Sequence, residues 1–154
     1  MCLIFTGCQK APQIEVKNEF DSEFTLLYND VQIKGDLLSN SNGVNIKVNS
    51  PKSFAGLEIQ AKDDIYNASF NGIKMSYSKN DLPDGVFFKM IVISLSQLIN
   101  SQELEFERED DEYFATNTCE LGEVKIVADK NQFIKKIEIE KQNFYLNLKE
   151  KELS

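Results

Sequence analysis

Apolar and polar side chains alternate along most of the chain after residue 23, which is the period of a β-strand with one buried face. The first alternating stretch runs from Phe24 to Tyr28, and the pattern resumes after the Asn29-Asp30 pair. This pair indicates either a tight turn between two antiparallel strands or a bulge in one long, bent strand. Further alternating stretches predict strands near residues 44–48, 57–61, 66–70, 73–77, 104–106, 114–119, 124–128, 133–139 and 144–148.

Turn-forming residues separate these strands at short intervals. Asn40 to Gly43, Asp63-Asp64 and Asn71-Gly72 combine short polar side chains, which cap free backbone groups, with residues that tolerate a positive φ. Pro51 ends another strand because proline has no N–H to donate to a neighbouring strand. Short strands joined by tight turns predict a continuous antiparallel meander.

One segment, from Val86 to Ser101, departs from the alternation, and ten of its sixteen residues are apolar. Its polar side chains fall on one narrow stripe, so the sequence predicts a helix that is enclosed on most sides. A membrane span is the alternative, but the segment is shorter than the roughly 20 residues that a span requires and carries Lys89 near its start. We expect the helix to pack on the sheet through Phe88, Ile91, Leu95 and Leu98.

Together these elements predict an α+β, β-rich fold in which a curved antiparallel sheet, a half-barrel meander, packs on one long apolar helix. A chain of 154 residues is the usual size of a single domain and buries about two thirds of its unfolded surface. We place this domain at residues 23–149, with a polar tail at residues 150–154.

The start of the chain has a separate character. Residues 1–8 form an apolar run that is too short to cross a bilayer and ends in Thr6-Gly7-Cys8. This ending resembles a bacterial lipobox, which implies that residues 1–8 are the remnant of a lipoprotein signal peptide. By that resemblance Cys8 carries a lipid anchor of the palmitate type, and two acyl chains are sufficient for stable anchoring. A short apolar first strand is the alternative interpretation.

Residues 9–22 contain Pro12, several charged residues and few apolar ones, as expected of a tether between a membrane and a domain. The lipobox resemblance places the protein on the outer face of the bacterial cytoplasmic membrane, as a lipoprotein of the cell envelope. The membrane is therefore an expected partner, through the lipid on Cys8.

Charge and residue types exclude several functions. The chain has 17 Lys plus Arg against 25 Asp plus Glu, and its net charge of -8 repels phosphate backbones, so nucleic acid is not an expected partner. Histidine is absent, which removes the common nucleophile–base pairs and the histidine-containing zinc sites. Cys119 lacks a basic neighbour, and Ser76 and Lys79 are spaced to face opposite sides of a strand. We expect no catalytic residue, no cofactor and no metal site.

The order of elements, with strands, one apolar helix and a closing meander behind a lipobox, resembles the Lol-type fold of lipoprotein carriers and of many Gram-positive lipoproteins. The resemblance spans Phe24 to Leu148 and includes Phe70-Asn71-Gly72-Ile73 and Leu82-Pro83. It implies a half-barrel whose concave face binds acyl chains. The strand entry near Pro51, Phe54, Gly56 and Leu57 belongs to the same resemblance.

Two non-enzymatic functions agree with this fold. The first is binding of a lipid or another apolar ligand, and the second is docking to another cell-envelope protein, since related lipoproteins act through protein partners. The candidate docking surface, which is otherwise a solvated strand face, comprises Glu105, Glu107, Glu109, Asp110 and Asp111. The candidate apolar cavity, which is otherwise filled core, comprises Phe70, Ile73, Met75, Phe88, Ile91, Leu95 and Leu98.

Overall fold

The computed structural model of the chain describes residues 14–100 and 104–152. Within these residues the chain forms strands joined by short turns, one α-helix and two 3-10 helices. The elements in chain order are β1 Phe20–Tyr28, β2 Val31–Asn40, β3 Gly43–Ser50, β4 Glu58–Lys62, β5 Ile65–Phe70, β6 Ile73–Ser78, a 3-10 helix Lys79–Asp81, α1 Phe87–Asn100, β7 Glu107–Glu109, β8 Glu112–Cys119, β9 Gly122–Asp129, β10 Ile134–Ile139, a 3-10 helix Glu140–Gln142 and β11 Phe144–Glu150.

All the strands belong to one antiparallel sheet with the order β6-β5-β4-β3-β2-β1-β11-β10-β9-β8-β7. Strands that follow one another in the chain are paired, except β6 and β7, which α1 separates. The first and last strands, β1 and β11, also pair with each other. The β1–β11 pairing aligns Ser22 with Glu150 and Tyr28 with Phe144. The antiparallel meander is thus confirmed, and β6 and β7 are the two edges of the sheet.

The Asn29-Asp30 pair is a tight turn, because both residues have a positive φ, of 46° and 65°, and β1 and β2 pair along their full length beside it. Two-residue turns of this kind match the twist of paired strands. The turns at Asp63-Asp64 and Asn71-Gly72 also have a positive φ at both positions. The structure therefore favours two antiparallel strands over one bent strand.

The sheet curves around the helix. Eleven strands spaced about 4.8 Å apart would span roughly 50 Å if flat, whereas a helix with its side chains is only about 10 Å across. Nevertheless, strands far from each other in the sheet supply buried residues, such as Tyr66 on β5 and Ala115 on β8. The sheet is therefore a half-barrel, unclosed because β6 and β7 do not pair.

The helix occupies the concave side of the half-barrel and is short, whereas a long helix was expected. It contains 14 residues, about 21 Å in length. Ile91, Leu95 and Leu98 are buried in the core, as expected, and Phe88 is half-buried. In the described residues, none of the helices has the length and apolar content needed to span a membrane.

The predicted boundary between tether and domain, after residue 22, lies inside β1. Phe20 and Ser22 are both buried, and the Ser22 hydroxyl donates a hydrogen bond to the carbonyl oxygen of Leu37 at 3.2 Å. A serine at an inward position interrupts the apolar alternation, which explains why the sequence pattern indicates a later start. At the other end, Lys151 binds Asp21 and Asp36. The predicted lipid anchor at Cys8 lies outside the described residues.

Candidate functional site

The concave face next to α1 is filled by packed side chains. Met90, Ile91, Ile93 and Leu95 are almost completely buried, so side chains on several sides of the helix contact the core. The helix also carries a buried cation, because the Lys89 ammonium donates hydrogen bonds to the Leu82 carbonyl oxygen at 2.8 Å and to the Asp84 carboxylate at 2.9 Å. Of the helical members of the predicted cavity, Ile91, Leu95 and Leu98 are therefore core residues, and Phe88 is half-buried at the edge of the core.

The remaining strand residues of the predicted cavity lie at the edge of the half-barrel. Residues paired directly across two antiparallel strands point to the same face of the sheet. Phe70 pairs with Ile73 and Ala68 pairs with Met75, so Ile73 and Met75 face the concave side, as the buried Ala68 does. In the described residues, however, no strand pairs with the free edge of β6, and Ile73 is 63% exposed and Met75 45% exposed. We call Phe70, Ile73, Met75 and Tyr77 the open apolar strip.

A chain of aromatic rings leads from the surface to the strand beside this strip. The Phe54 and Phe87 ring centroids lie 6.3 Å apart, those of Phe87 and Phe88 5.5 Å, and those of Phe88 and Tyr66 6.0 Å. Phe54 itself is exposed. Tyr66 is paired with Tyr77 on β6, and its burial, together with the negative charges of Asp64 and Glu120, raises its pKa to about 12. Tyr66 therefore stays neutral and supplies an uncharged wall beside the strip.

A second concavity opens between α1 and the turns at one end of the sheet. Its volume is about 520 Å³, and Val44, Ala61 and Ile93 contribute apolar walls. Its rim is charged, and it includes Lys79, whose ammonium lies 2.8 Å from the Glu120 carboxylate. Hydrogen bonding to Glu120 raises the pKa of Lys79. This ion pair links the end of β6 to the β8–β9 turn, across the open side of the half-barrel.

The acidic residues predicted as a docking surface occupy the opposite edge. Glu105, Glu107, Glu109, Asp110 and Asp111 are all exposed, and they lie on β7 and its flanking segments. Within residues 14–100 and 104–152, none of these five carboxylates takes part in an ion pair. The adjacent Glu112 does so, with Lys135.

Of the three groups considered for chemistry, Lys79 and Cys119 take part in other interactions. Lys79 pairs with Glu120, and Ser76 is exposed on the edge strand. Cys119 is half-buried, and its sulfur accepts a hydrogen bond from the Leu121 N–H at 3.4 Å. In the described part of the chain, no group of three or more Cys, Asp or Glu residues is arranged to hold a metal ion.

Comparison with solved structures gives a likeness of fold. No family model matches the sequence, and no curated protein matches it. The structure is similar to the crystal structure of a LolA superfamily protein from Nitrosomonas europaea, with a TM-score of 0.38 and 16% sequence identity, over 84% of this chain and 68% of that chain.

Proposed function

We propose that the protein is a non-enzymatic binding module that takes an apolar ligand, such as the acyl chain of a lipid, on the open apolar strip. One observation carries the proposal: Ile73 and Met75 continue the concave apolar face of the sheet, yet they are exposed to water. Burial of apolar surface stabilises a complex by about 25 cal/mol per Å². An acyl chain bound across this strip would remove both its own apolar surface and that of the strip from water. Clustered exposed apolar residues on a folded protein commonly mark such sites.

The surroundings of the strip support this proposal. Phe54 is exposed at the far end of the aromatic chain, and Phe87 and Phe88 are only half-buried. Aromatic side chains offer large, rigid apolar surfaces that lose little conformational entropy on binding. A ligand chain bound at β6 would therefore have further apolar surface available toward the start of α1.

A fluorescent fatty-acid probe titrated into the purified protein tests the proposal. Replacing Ile73 and Met75 together with Ser should weaken binding at least tenfold, because each loses an apolar contact worth up to about 1.5–3 kcal/mol. The matched control replaces Leu27 and Val31 with Ser, since these residues are 42% and 45% exposed but lie on the β1–β2 hairpin. Equal binding by the three proteins would refute the proposal.

The proposed setting of this module is the outer face of the bacterial cytoplasmic membrane, with Cys8 as the lipid anchor. The Thr6-Gly7-Cys8 ending supports it. Expressed with a complete lipoprotein signal peptide in a Gram-positive host, the protein should partition into detergent, whereas a Cys8→Ala form should stay in the aqueous phase. Release of both forms into the aqueous phase would rule out the anchor and leave the ligand site untouched.

A second candidate function is docking to a basic surface of another envelope protein. The observation that favours it is the unpaired charge of the five acidic residues at the β7 edge. Replacing Glu107, Glu109 and Asp111 with their amides should abolish pull-down of a partner at low salt and leave fatty-acid binding unchanged. Capture that survives these changes would exclude this surface.

A further inference from the structure

The outer face of strands β2 to β6 carries two parallel rows of polar side chains. One row, which we call the amide row, follows the pairing of Asn45 with Gln60, of Gln60 with Asn67 and of Asn67 with Ser76. The other, the charged row, follows the pairing of Asp36 with Lys47, Lys47 with Glu58, Glu58 with Ser69 and Ser69 with Lys74. Each row crosses neighbouring strands at right angles to their direction.

A groove of about 780 Å³ lies between and over these rows. Ile46, Ile59 and Ala68 form its floor. In the sequence, each of these residues lies between a member of the amide row and a member of the charged row. Five strands about 4.8 Å apart make the groove roughly 19 Å long, and residues two apart in a strand separate the rows by about 7 Å. These dimensions suit one extended chain molecule lying across the strands.

The amide row is free to bind. In the described part of the chain, the side chains of Asn45, Gln60, Asn67 and Ser76 form no hydrogen bond with another residue. Each amide presents both a donor and an acceptor, and so does a serine hydroxyl, so the row presents both kinds at each of the strands β3 to β6. Such a surface matches a ligand with hydroxyl groups along its length, because a hydroxyl also donates and accepts.

The charges around the groove cancel. Three carboxylates, those of Asp21, Asp36 and Glu58, face three ammonium groups, those of Lys47, Lys74 and Lys151. Several of them pair with one another: Lys47 with Glu58 at 3.4 Å, and Lys151 with Asp36 at 2.8 Å. In a chain of net charge -8, this balance removes the repulsion of anions and the attraction of cations, and so fits an uncharged ligand.

We infer that the outer groove is a second binding site, for a neutral, unbranched oligosaccharide that lies across β2 to β6 and is held by the amide row. The spacing distinguishes this ligand from a peptide. An extended peptide presents groups in one direction at every second residue, about 6.8 Å apart, whereas the amides repeat at the strand spacing of about 4.8 Å. The latter distance is close to the ring-to-ring repeat of an extended pyranose chain. Each ring carries hydroxyl groups on both of its edges, so every ring presents a hydroxyl group to the row even when successive rings are turned over.

Titration of cellotetraose and chitotetraose into ¹⁵N-labelled protein, followed by NMR, tests this inference. Binding of either should shift the side-chain amide signals of Asn45, Gln60 and Asn67. Gln60→Ala should weaken binding about fivefold to tenfold, as expected for the loss of a hydrogen bond worth about 1 kcal/mol. The control is Gln32→Ala, an exposed glutamine on β2 outside the groove.

The outcomes separate clearly. Shifts confined to the three groove amides, with a loss in Gln60→Ala but not in Gln32→Ala, would support the inference. No shift at millimolar sugar, an equal loss in both variants, or the same shifts with an unstructured Gly-Ser peptide would overturn it. Met75 lines the groove as well as the open apolar strip, but the amide side chains point to the outer face and the strip to the inner one. Gln60→Ala should therefore leave fatty-acid binding unchanged.

Discussion

The two faces of strands β2 to β6 carry opposite chemistry on one backbone. On the inner face a row of directly paired residues runs from Leu37 through Ile46, Ile59 and Ala68 to Met75. On the outer face, one residue away in each strand, lie the amide row and the charged row. Because side chains alternate strictly along a strand, a shift of the pairing by one residue would exchange the two faces. The buried inner row therefore determines the register, and the outer rows are aligned as a consequence.

The inner row also changes along its length. The exposed fraction is 0% at Leu37, 1% at Ile46, 2% at Ile59, 7% at Ala68 and 45% at Met75. The row is thus part of the core at β2 and is exposed to water at β6, because the side chains that cover the inner face of the sheet do not reach this edge strand. The covered end of this apolar row therefore contributes to stability and the exposed end offers surface for binding, and this division can be tested by substitution.

The largest effect is expected from a charge placed where the inner face is covered. Leu95→Asp buries a carboxylate on α1 against the sheet, where it is 1% exposed in the native protein, and the cost of burying an unpaired charge exceeds the stability of a typical domain. The protein should show no cooperative thermal unfolding. Met75→Asp places the same charge at the open end and should keep its transition; a folded Leu95→Asp protein would mean that the helix does not close the core.

Truncation within the row should show the division quantitatively. Ile59→Ala removes a fully buried side chain and should destabilise the protein by about 2–5 kcal/mol, through lost transfer energy and a residual cavity. Met75→Ala should cost less than about 1 kcal/mol because much of that side chain is already in water. Denaturant unfolding measures both, and similar losses would show that β6 is covered in solution.

Much of this fold could be predicted from the sequence because the alternation is strong. The turns at Asn40 to Gly43, Asp63-Asp64 and Asn71-Gly72 lie where their side chains indicate. The N-terminal boundary could not be predicted because Ser22, an inward residue, is polar and is satisfied by the distant Leu37 carbonyl. Local pattern carries no information on such a partner.

The candidate site was predicted only in part. The motif at Phe70 and Ile73 is part of the open apolar strip, but helix and strand members of the predicted cavity separate into core and exposed edge. The alternation does not show whether a strand lies in the centre of the sheet or at its edge, because that depends on which strands pair. Here the first strand, β1, pairs with the last strand, β11, and β6 is left at an edge. The outer groove was missed because its rows, such as Asn45, Gln60 and Asn67, are adjacent only across strands.

Close contact between β2 and β3 gives the next prediction. A Cβ atom added at Gly35 would lie 2.0 Å from the Lys47 carbonyl oxygen and 2.8 Å from the Phe24 ring, so the backbone must move. Gly35→Ala should therefore destabilise the protein by about 3 kcal/mol, the upper part of the range for overpacking. Gly85→Ala meets only the Tyr28 hydroxyl, at 3.4 Å, and serves as the control in thermal unfolding. Equal melting temperatures would contradict the observed β2–β3 packing.

The smallest effect is expected on the outer face, from the charges at the end of the groove. Hydrogen bonds from Lys151 and then from Asn49 hold the pKa of Asp36 below its usual value, and hydrogen bonding to Asp36 and Asp21 raises the pKa of Lys151. A lowered carboxyl pKa means that the native state favours the ionised form. The contribution of Asp36 to stability is therefore present above the unfolded pKa of about 3.9 and is lost as the pH falls through the lower folded pKa.

Because solvent screens this network, Asp36→Asn should cost at most about 1 kcal/mol near neutral pH. The difference from the unsubstituted protein should vanish at an acid pH below the lowered folded pKa, where Asp36 is protonated in both states. Urea unfolding at the two pH values measures it, with Glu23→Gln as the control, since Glu23 is the residue paired with Asp36 on β1 and forms no ion pair in the described residues. A difference that persists unchanged in acid would show that Asp36 acts through its shape and hydrogen bonds, independent of its charge.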